Sequence, residues 1–170
     1  GMTADALSGL HLLLTYQCNY ECDHCFAWGS PSQSGTMTID TIEHILAEAE
    51  ALGTIEWIYF EGGEPFLYYA VLVEGVKQAA RAGFKVGIVS NGYWATGRTD
   101  AVECLRPLGG LVQDLSISSD CFHGSEAISS EARFAFEAAK GLSIPCSLIS
   151  VEEPGVTSAP SDRPEMPICQ

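Results

Sequence analysis

Short runs of β-branched, aromatic and other apolar residues punctuate the chain: His11 to Tyr16, Ile55 to Phe60, Phe84 to Val89, Leu111 to Ser118 and Cys146 to Val151. Each has the length and composition of a strand. Between them the apolar positions recur at helical spacing, as on one face of an amphipathic helix. Ile39, Ile42, Ile45, Leu46, Ala49 and Leu52 make the first such face, with Thr38 placed as its N-cap and Gly53 as its stop. The pattern predicts a second helix from about Val71 to Ala82, ending at Gly83. A third is expected from Asp100 to Leu105, started near Thr99 and broken by Pro107. A fourth fits Ser130 to Lys140, with Phe134, Ala135 and Ala138 inward and Gly141 closing it.

The later strands end near residues 61, 90, 118 and 150. The intervals are about 30 residues, the length of one βα unit. The first interval is longer because a cysteine-bearing loop is inserted there. Strands alternating with helices at this spacing imply an α/β fold with a parallel sheet and right-handed crossovers. In such sheets ligands bind beyond the carboxyl ends of the strands. The loop carrying Cys18, Cys22 and Cys25 falls there, as do Glu61-Gly62-Gly63-Glu64-Pro65, Ser90-Asn91-Gly92 and Ser118-Ser119-Asp120. Their convergence on one rim marks it as the candidate site.

Composition narrows the function classes. The length of 170 residues suits a single domain. No apolar run approaches the ~20 residues needed to span a bilayer, and no signal peptide precedes the first strand, so the chain reads as a soluble, cytoplasmic protein. A formal charge of -14 with only 8 Lys and Arg argues against nucleic acid and against anionic membranes as partners. The cysteines number 7, an odd count, and Cys18, Cys22 and Cys25 are clustered, which favours a metal centre over a disulfide framework. A structural zinc takes four ligands, and an iron–sulfur cluster also usually takes four cysteines. Three thiolates on one C-x3-C-x2-C loop suggest a cluster with one iron left open. A zinc site completed by His24 or by a remote ligand is the competing reading.

The cysteine spacing, with Phe26 after the last cysteine, resembles the signature of the radical S-adenosylmethionine (SAM) enzymes. The turn Gly62-Gly63-Glu64-Pro65, one strand later, resembles a second motif of that family. The resemblance covers roughly residues 11 to 151. It implies parallel (βα) repeats forming a partial, incomplete TIM-like barrel, here of about five βα units. It also implies a 4Fe-4S cluster on Cys18, Cys22 and Cys25, with SAM chelating the fourth iron. Gly62, Gly63 and Glu64 would then hold the ammonium end of SAM, and the backbone around Phe26 would pack against the adenine. Ser90 and Asn91 match a polar position that faces SAM, and Ser118 and Asp120 match a segment that contacts its ribose and carboxylate. Read from position alone, Arg133 either reaches a carboxylate or lies on a solvated helix face, and His123 and Tyr93 lie near the rim where substrate would sit. Cys121 is an auxiliary-cluster ligand, a group that acts on substrate, or, the commoner case, a small buried residue. Cys104 and Cys146 read as core, His24 as a loop filler, and His11 and His44 have no evident role.

By the same resemblance, an external one-electron reductant of flavodoxin or ferredoxin type feeds the cluster. SAM is cleaved reductively, and a 5'-deoxyadenosyl radical abstracts hydrogen from substrate. A peptide or protein substrate is the leading expectation, with a glycyl-radical activator or a small-molecule enzyme left open. The expected organisation is a partial barrel over residues 3–151 and a Pro-rich tail or linker over 152–170. The family barrel usually has six units, and five strands are counted here. A non-catalytic cluster-binding or electron-transfer module is therefore the alternative, as is a piece of a longer enzyme in which Cys169 begins an auxiliary-cluster region.

Overall fold

The computed structural model describes residues 8–14, 26–28, 37–119 and 128–150. Strands β1 (Gly9–Leu13), β2 (Phe26–Trp28), β3 (Trp57–Glu61), β4 (Lys85–Ser90), β5 (Asp114–Ser119) and β6 (Cys146–Ser150) form one sheet in the order β2-β1-β3-β4-β5-β6. Every pairing is parallel. Helices α1 (Ile39–Leu52), α2 (Tyr69–Arg81), α3 (Arg98–Leu105) and α4 (Ser130–Gly141) connect successive strands. From β1 through β6 the order advances without reversal apart from β2. Right-handed crossovers in one direction lay all the helices on one face. The result is the open, curved half of a (βα) barrel.

The five strands expected from the sequence are all present. The sixth, β2, was not expected; it pairs with the outer edge of β1. Three residues are too few to show a period, and what makes them a strand is a partner in β1. Strand β5 starts at Asp114, not Leu111, because Val112 turns into the core while Gln113 substitutes for the ladder. The Val86 amide donates to Gln113 Oε1 at 2.7 Å, and the Gln113 amide donates to the Val86 carbonyl at 2.8 Å.

The helix signals hold with small shifts. Thr38 Oγ1 accepts from the Thr41 amide at 3.2 Å, and Gly53 ends α1 in the left-handed conformation with φ 72. Ser129 caps α4 through the Ala132 amide. That helix turns Ala132, Ala135, Ala138 and Ala139 inward, and Phe134 only packs against the edge of the core. Helix α3 begins at Arg98 and is followed by a short 3-10 turn over Arg106–Leu108.

Strand alternation sorts the sheet into two faces. Leu12, Phe60, Ile88, Leu115 and Cys146 stand in one row of the ladder, and the first four are buried under the helices. The preceding residue in each strand places His11, Tyr59, Gly87 and Asp114 in a row on the opposite face. Glu61 and Ser116 follow on that same face one pleat nearer the carboxyl ends. Parallel sheets are usually apolar on both faces. This one has a dry face toward the helices and a polar, aromatic face on its concave side.

At the β6 edge, Leu148 and Ile149 point to opposite faces and are both exposed, at 37% and 40%. Among the described residues no helix is long and apolar enough to cross a membrane.

Candidate active site

The rim is built where β3 and β4 end side by side. Glu61 closes β3, and the chain then turns through Gly62 and Gly63, at φ 85 and φ 58. An L-residue with a Cβ is strained in that conformation, so the two glycines make the reversal possible. The turn returns the Glu64 side chain into the gap between the strand ends, where it is 6% exposed. Pro65 then opens a 3-10 turn, Pro65–Tyr68, that leads directly into α2.

Three donors meet the Glu64 carboxylate. The Ser90 hydroxyl donates to Oε2 at 2.8 Å, the Phe66 amide to Oε2 at 3.1 Å and the Asn91 amide to Oε1 at 2.7 Å. Burial pushes the carboxyl above its ordinary value, while these donors pull the other way. Ser90, itself buried, also accepts from the Trp94 indole Nε1 at 2.9 Å and from the Gly92 amide at 3.1 Å. Trp94 stacks on Phe66 with centroids 4.4 Å apart. The loop after β3 and the loop after β4 are thereby joined by hydrogen bonds and by an aromatic pair. Asn91 Oδ1 accepts from the Tyr93 amide at 2.9 Å, a local turn. Ser118, on β5, donates to the Ser90 carbonyl at 3.3 Å.

Below the rim lies the polar face. His11 Nδ1 and Glu61 Oε1 are 2.6 Å apart. With the proton on Nδ1, that nitrogen donates to Glu61 and leaves Nε2 as the basic atom. The imidazole stacks on Tyr59 at 4.7 Å, and Tyr59 on Trp57 at 5.4 Å. Burial, then the charges of Asp114 and Glu61, raise the Tyr59 phenol above its ordinary value. The phenol ring lies over Gly87, where a Cβ would come within 2.5 Å of Tyr59 Cδ1. Lys85 Nζ stands 5.7 Å from the Trp57 ring and closes the amino end.

The structure brings together Gly62, Gly63, Glu64, Ser90, Asn91 and Ser118 among the residues expected at the site. Cys18, Cys22, Cys25 and Asp120 lie outside the described residues, as do His24, Cys121, His123 and Cys169. Phe26 sits in β2, level with Leu10. Tyr93 is exposed near the rim, and Arg133 is exposed on α4. Cys104 and Cys146 are half-buried against the core, and burial raises both thiols, Cys146 to about 11. Sequence reasoning missed His11, Glu61 and Tyr59 as a group and Trp94 altogether. Alternation carried a signal for the first three: His11 sits between two buried leucines, and Tyr59 and Glu61 flank Phe60.

A polar rim over a half-barrel, with a buried carboxylate behind a Gly-Gly turn, is specific enough to compare with known proteins. The family model of the Radical SAM superfamily matches residues 12–124. The chain belongs to the radical SAM superfamily. YydG of Bacillus subtilis, a protein assigned to peptide biosynthesis, is 31% identical over 125 residues, which is 73% of this chain and 39% of that one. An S-adenosylmethionine-dependent nucleotide dehydratase of Selenomonas ruminantium is 34% identical over 85 residues, covering 49% of this chain and 29% of that one. The chain thus spans well under half the length of these curated relatives. The crystal structure of BtrN in complex with AdoMet and 2-DOIA has the same fold, with a TM-score of 0.56 at 16% identity over 85% of this chain and 56% of that one.

Membership in the radical SAM superfamily implies SAM and a 4Fe-4S cluster. The Glu64 site fits one end of such a ligand. A carboxylate offers about four lone-pair positions. Three are taken by Ser90, Phe66 and Asn91. The fourth, on Oε1, can accept one N–H of an ammonium at the rim.

Proposed function

We propose that this chain is the radical-generating part of a SAM-dependent enzyme that abstracts hydrogen from a peptide or protein substrate. The observation that carries the reading is the buried Glu64 carboxylate, held by three donors behind the Gly62-Gly63 turn with one acceptor position open. Cys18, Cys22 and Cys25, in the segment that joins β1 to β2, are the residues that would hold the cluster. Bound there, the cluster and SAM would supply an electron to the sulfonium and a 5'-deoxyadenosyl radical for hydrogen abstraction.

This chain's own residues orient and shield. Glu64 accepts a hydrogen bond from the ammonium in a buried position where charge pairing is strong. Gly62 and Gly63 let the backbone approach without a Cβ in the way. Ser118 stands at the end of β5 beside the Ser90 carbonyl, and in sequence Asp120 follows it and Phe26 follows the last cysteine. The polar face below, with His11, Tyr59 and Glu61, is the wall a substrate meets. A flavodoxin- or ferredoxin-like protein is the electron donor. The peptide assignment rests on the likeness to the peptide-biosynthesis protein YydG.

The test is 5'-deoxyadenosine formation by anaerobically reconstituted protein given dithionite and SAM, beside a Cys22→Ala control. Product is expected with the native chain and absent from the control. A brown, cluster-loaded native protein that forms none overturns the catalytic reading in favour of a cluster-binding or electron-transfer module.

A further inference from the structure

The Ser90 hydroxyl has no capacity left for a ligand. A serine has one hydrogen to donate and two lone pairs. The hydrogen goes to Glu64 Oε2 at 2.8 Å, and the lone pairs take the Trp94 indole Nε1–H at 2.9 Å and the Gly92 amide at 3.1 Å. Ser90 as a whole is 2% exposed. Orientation of this hydroxyl is decided by its donors: with two N–H groups pointing at the oxygen, the only direction left for its proton is Glu64. Trp94 is fixed in turn by its stack on Phe66, whose own amide donates to the same carboxylate oxygen. The circuit runs from Glu64 to Ser90, to Trp94, to Phe66 and back to Glu64.

We propose that Ser90 and Trp94 are positioning residues that aim the Glu64 carboxylate, and that Ser90 acts on SAM only through Glu64. The circuit saturates Oε2 and leaves the free acceptor on Oε1, so the ammonium is received by one defined oxygen. Asn91, next in the chain, contributes through its amide and not its side chain. The polar end of β4 is then a support for the β3 turn, and not a ligand contact in its own right. This rests on the reading of Glu64 as the ammonium acceptor.

The experiment is a double-mutant cycle for SAM affinity on the anaerobically reconstituted holoprotein, with native, Ser90→Ala, Glu64→Gln and the double variant. SAM binding is read from the change it causes in the electron paramagnetic resonance signal of the reduced cluster. Ser90→Ala is expected to weaken binding about 10- to 100-fold, the worth of one hydrogen bond to a charged group. In the Glu64→Gln background the same change is expected to have little further effect, because the group it positions is gone. Ser90→Thr keeps the hydroxyl and is expected to recover most of the affinity. Full additivity would mean that Ser90 touches SAM directly and would overturn the proposal, as would native affinity in Ser90→Ala. If Ser90→Ala fails to take up the cluster, Trp94→Phe decides: it keeps the ring on Phe66 and removes the indole N–H. Weaker SAM binding in that variant supports the circuit, and unchanged binding refutes it. A native holoprotein that binds no SAM refutes the ammonium-site reading instead, and that result comes from the native arm alone.

Discussion

Gly87→Ala tests whether Tyr59 lies where the concave face needs it. The ideal Cβ at this position would fall 2.5 Å from Tyr59 Cδ1 and 2.6 Å from Cε1. Carbon atoms prefer about 3.5–4.0 Å, so the ring must retreat by roughly 1 Å or more. Its retreat is not free, since the ring stacks on His11 at 4.7 Å and on Trp57 at 5.4 Å. Overpacking of this kind costs about 1–3 kcal/mol. Against it stands about 0.4–1 kcal/mol gained from stiffening the unfolded chain. The net loss expected is about 1–2 kcal/mol, which at a urea slope of about 1–3 kcal/mol/M lowers the midpoint by roughly 0.3–2 M. The decisive arm repeats the change in a Tyr59→Ala background. There the Cβ meets no ring, and Gly87→Ala should be neutral or stabilising. An equal loss in both backgrounds would refute the account, because it would mean that the cost arises in the strand itself and not at Tyr59.

Other expectations follow from the buried titratable groups. Cys146, with its thiol pushed up to about 11 from an ordinary 9.0 by burial and then by Asp114, should be alkylated by iodoacetamide at pH 8 about 100-fold more slowly than a model thiol. Peptide mapping by mass spectrometry reads this, and a model-like rate would contradict it. The stability that Cys146 contributes as a neutral thiol is present at neutral pH and is lost as pH rises through about 11. Glu64 has its folded value raised above 4.5, chiefly by burial. In metal-free protein its contribution to unfolding free energy is therefore fullest below pH 4.5 and fades as pH rises through the raised value. Chemical denaturation of native protein and Glu64→Ala across that window should show their difference shrinking with pH, and a constant difference would count against a raised carboxyl.

The sequence carried the alternation of strands and helices because each element declares itself locally, through period, cap and stop residue. Thr38 and Gly53 are legible for that reason. Gly62 and Gly63 announce a tight turn locally, and Glu64 beside them stood out through the resemblance of that turn to a family motif. The partners of Glu64 were not legible. Ser90, with Trp94 behind it, reaches Glu64 only because the β3–β4 ladder sets Phe60 against Ile88, and register is a long-range fact that no window of residues contains. His11 looked like a stray polar residue in a strand. It acquires a role only when β1 and β3 are aligned and Glu61 comes to its side. Strand β2 was hidden by its brevity, and the start of β5 by a glutamine side chain that imitates backbone.

The contrast between the two faces of the sheet bears on how the protein survives as well as on what it does. One face is sealed by helices. The other presents Trp57, Tyr59, His11, Glu61 and Asp114, groups that tolerate water but gain from being covered. A molecule that settles there would cover a layer that the described residues leave open. A ligand that binds only the folded chain adds about 2.7 kcal/mol of stability at a hundred times its dissociation constant, a large fraction of what a domain of this size has to spare. On the proposed function, the resistance of this protein to heat and to proteases would be set in part by the supply of SAM, and a cell short of it would be expected to lose the chain as well as the activity.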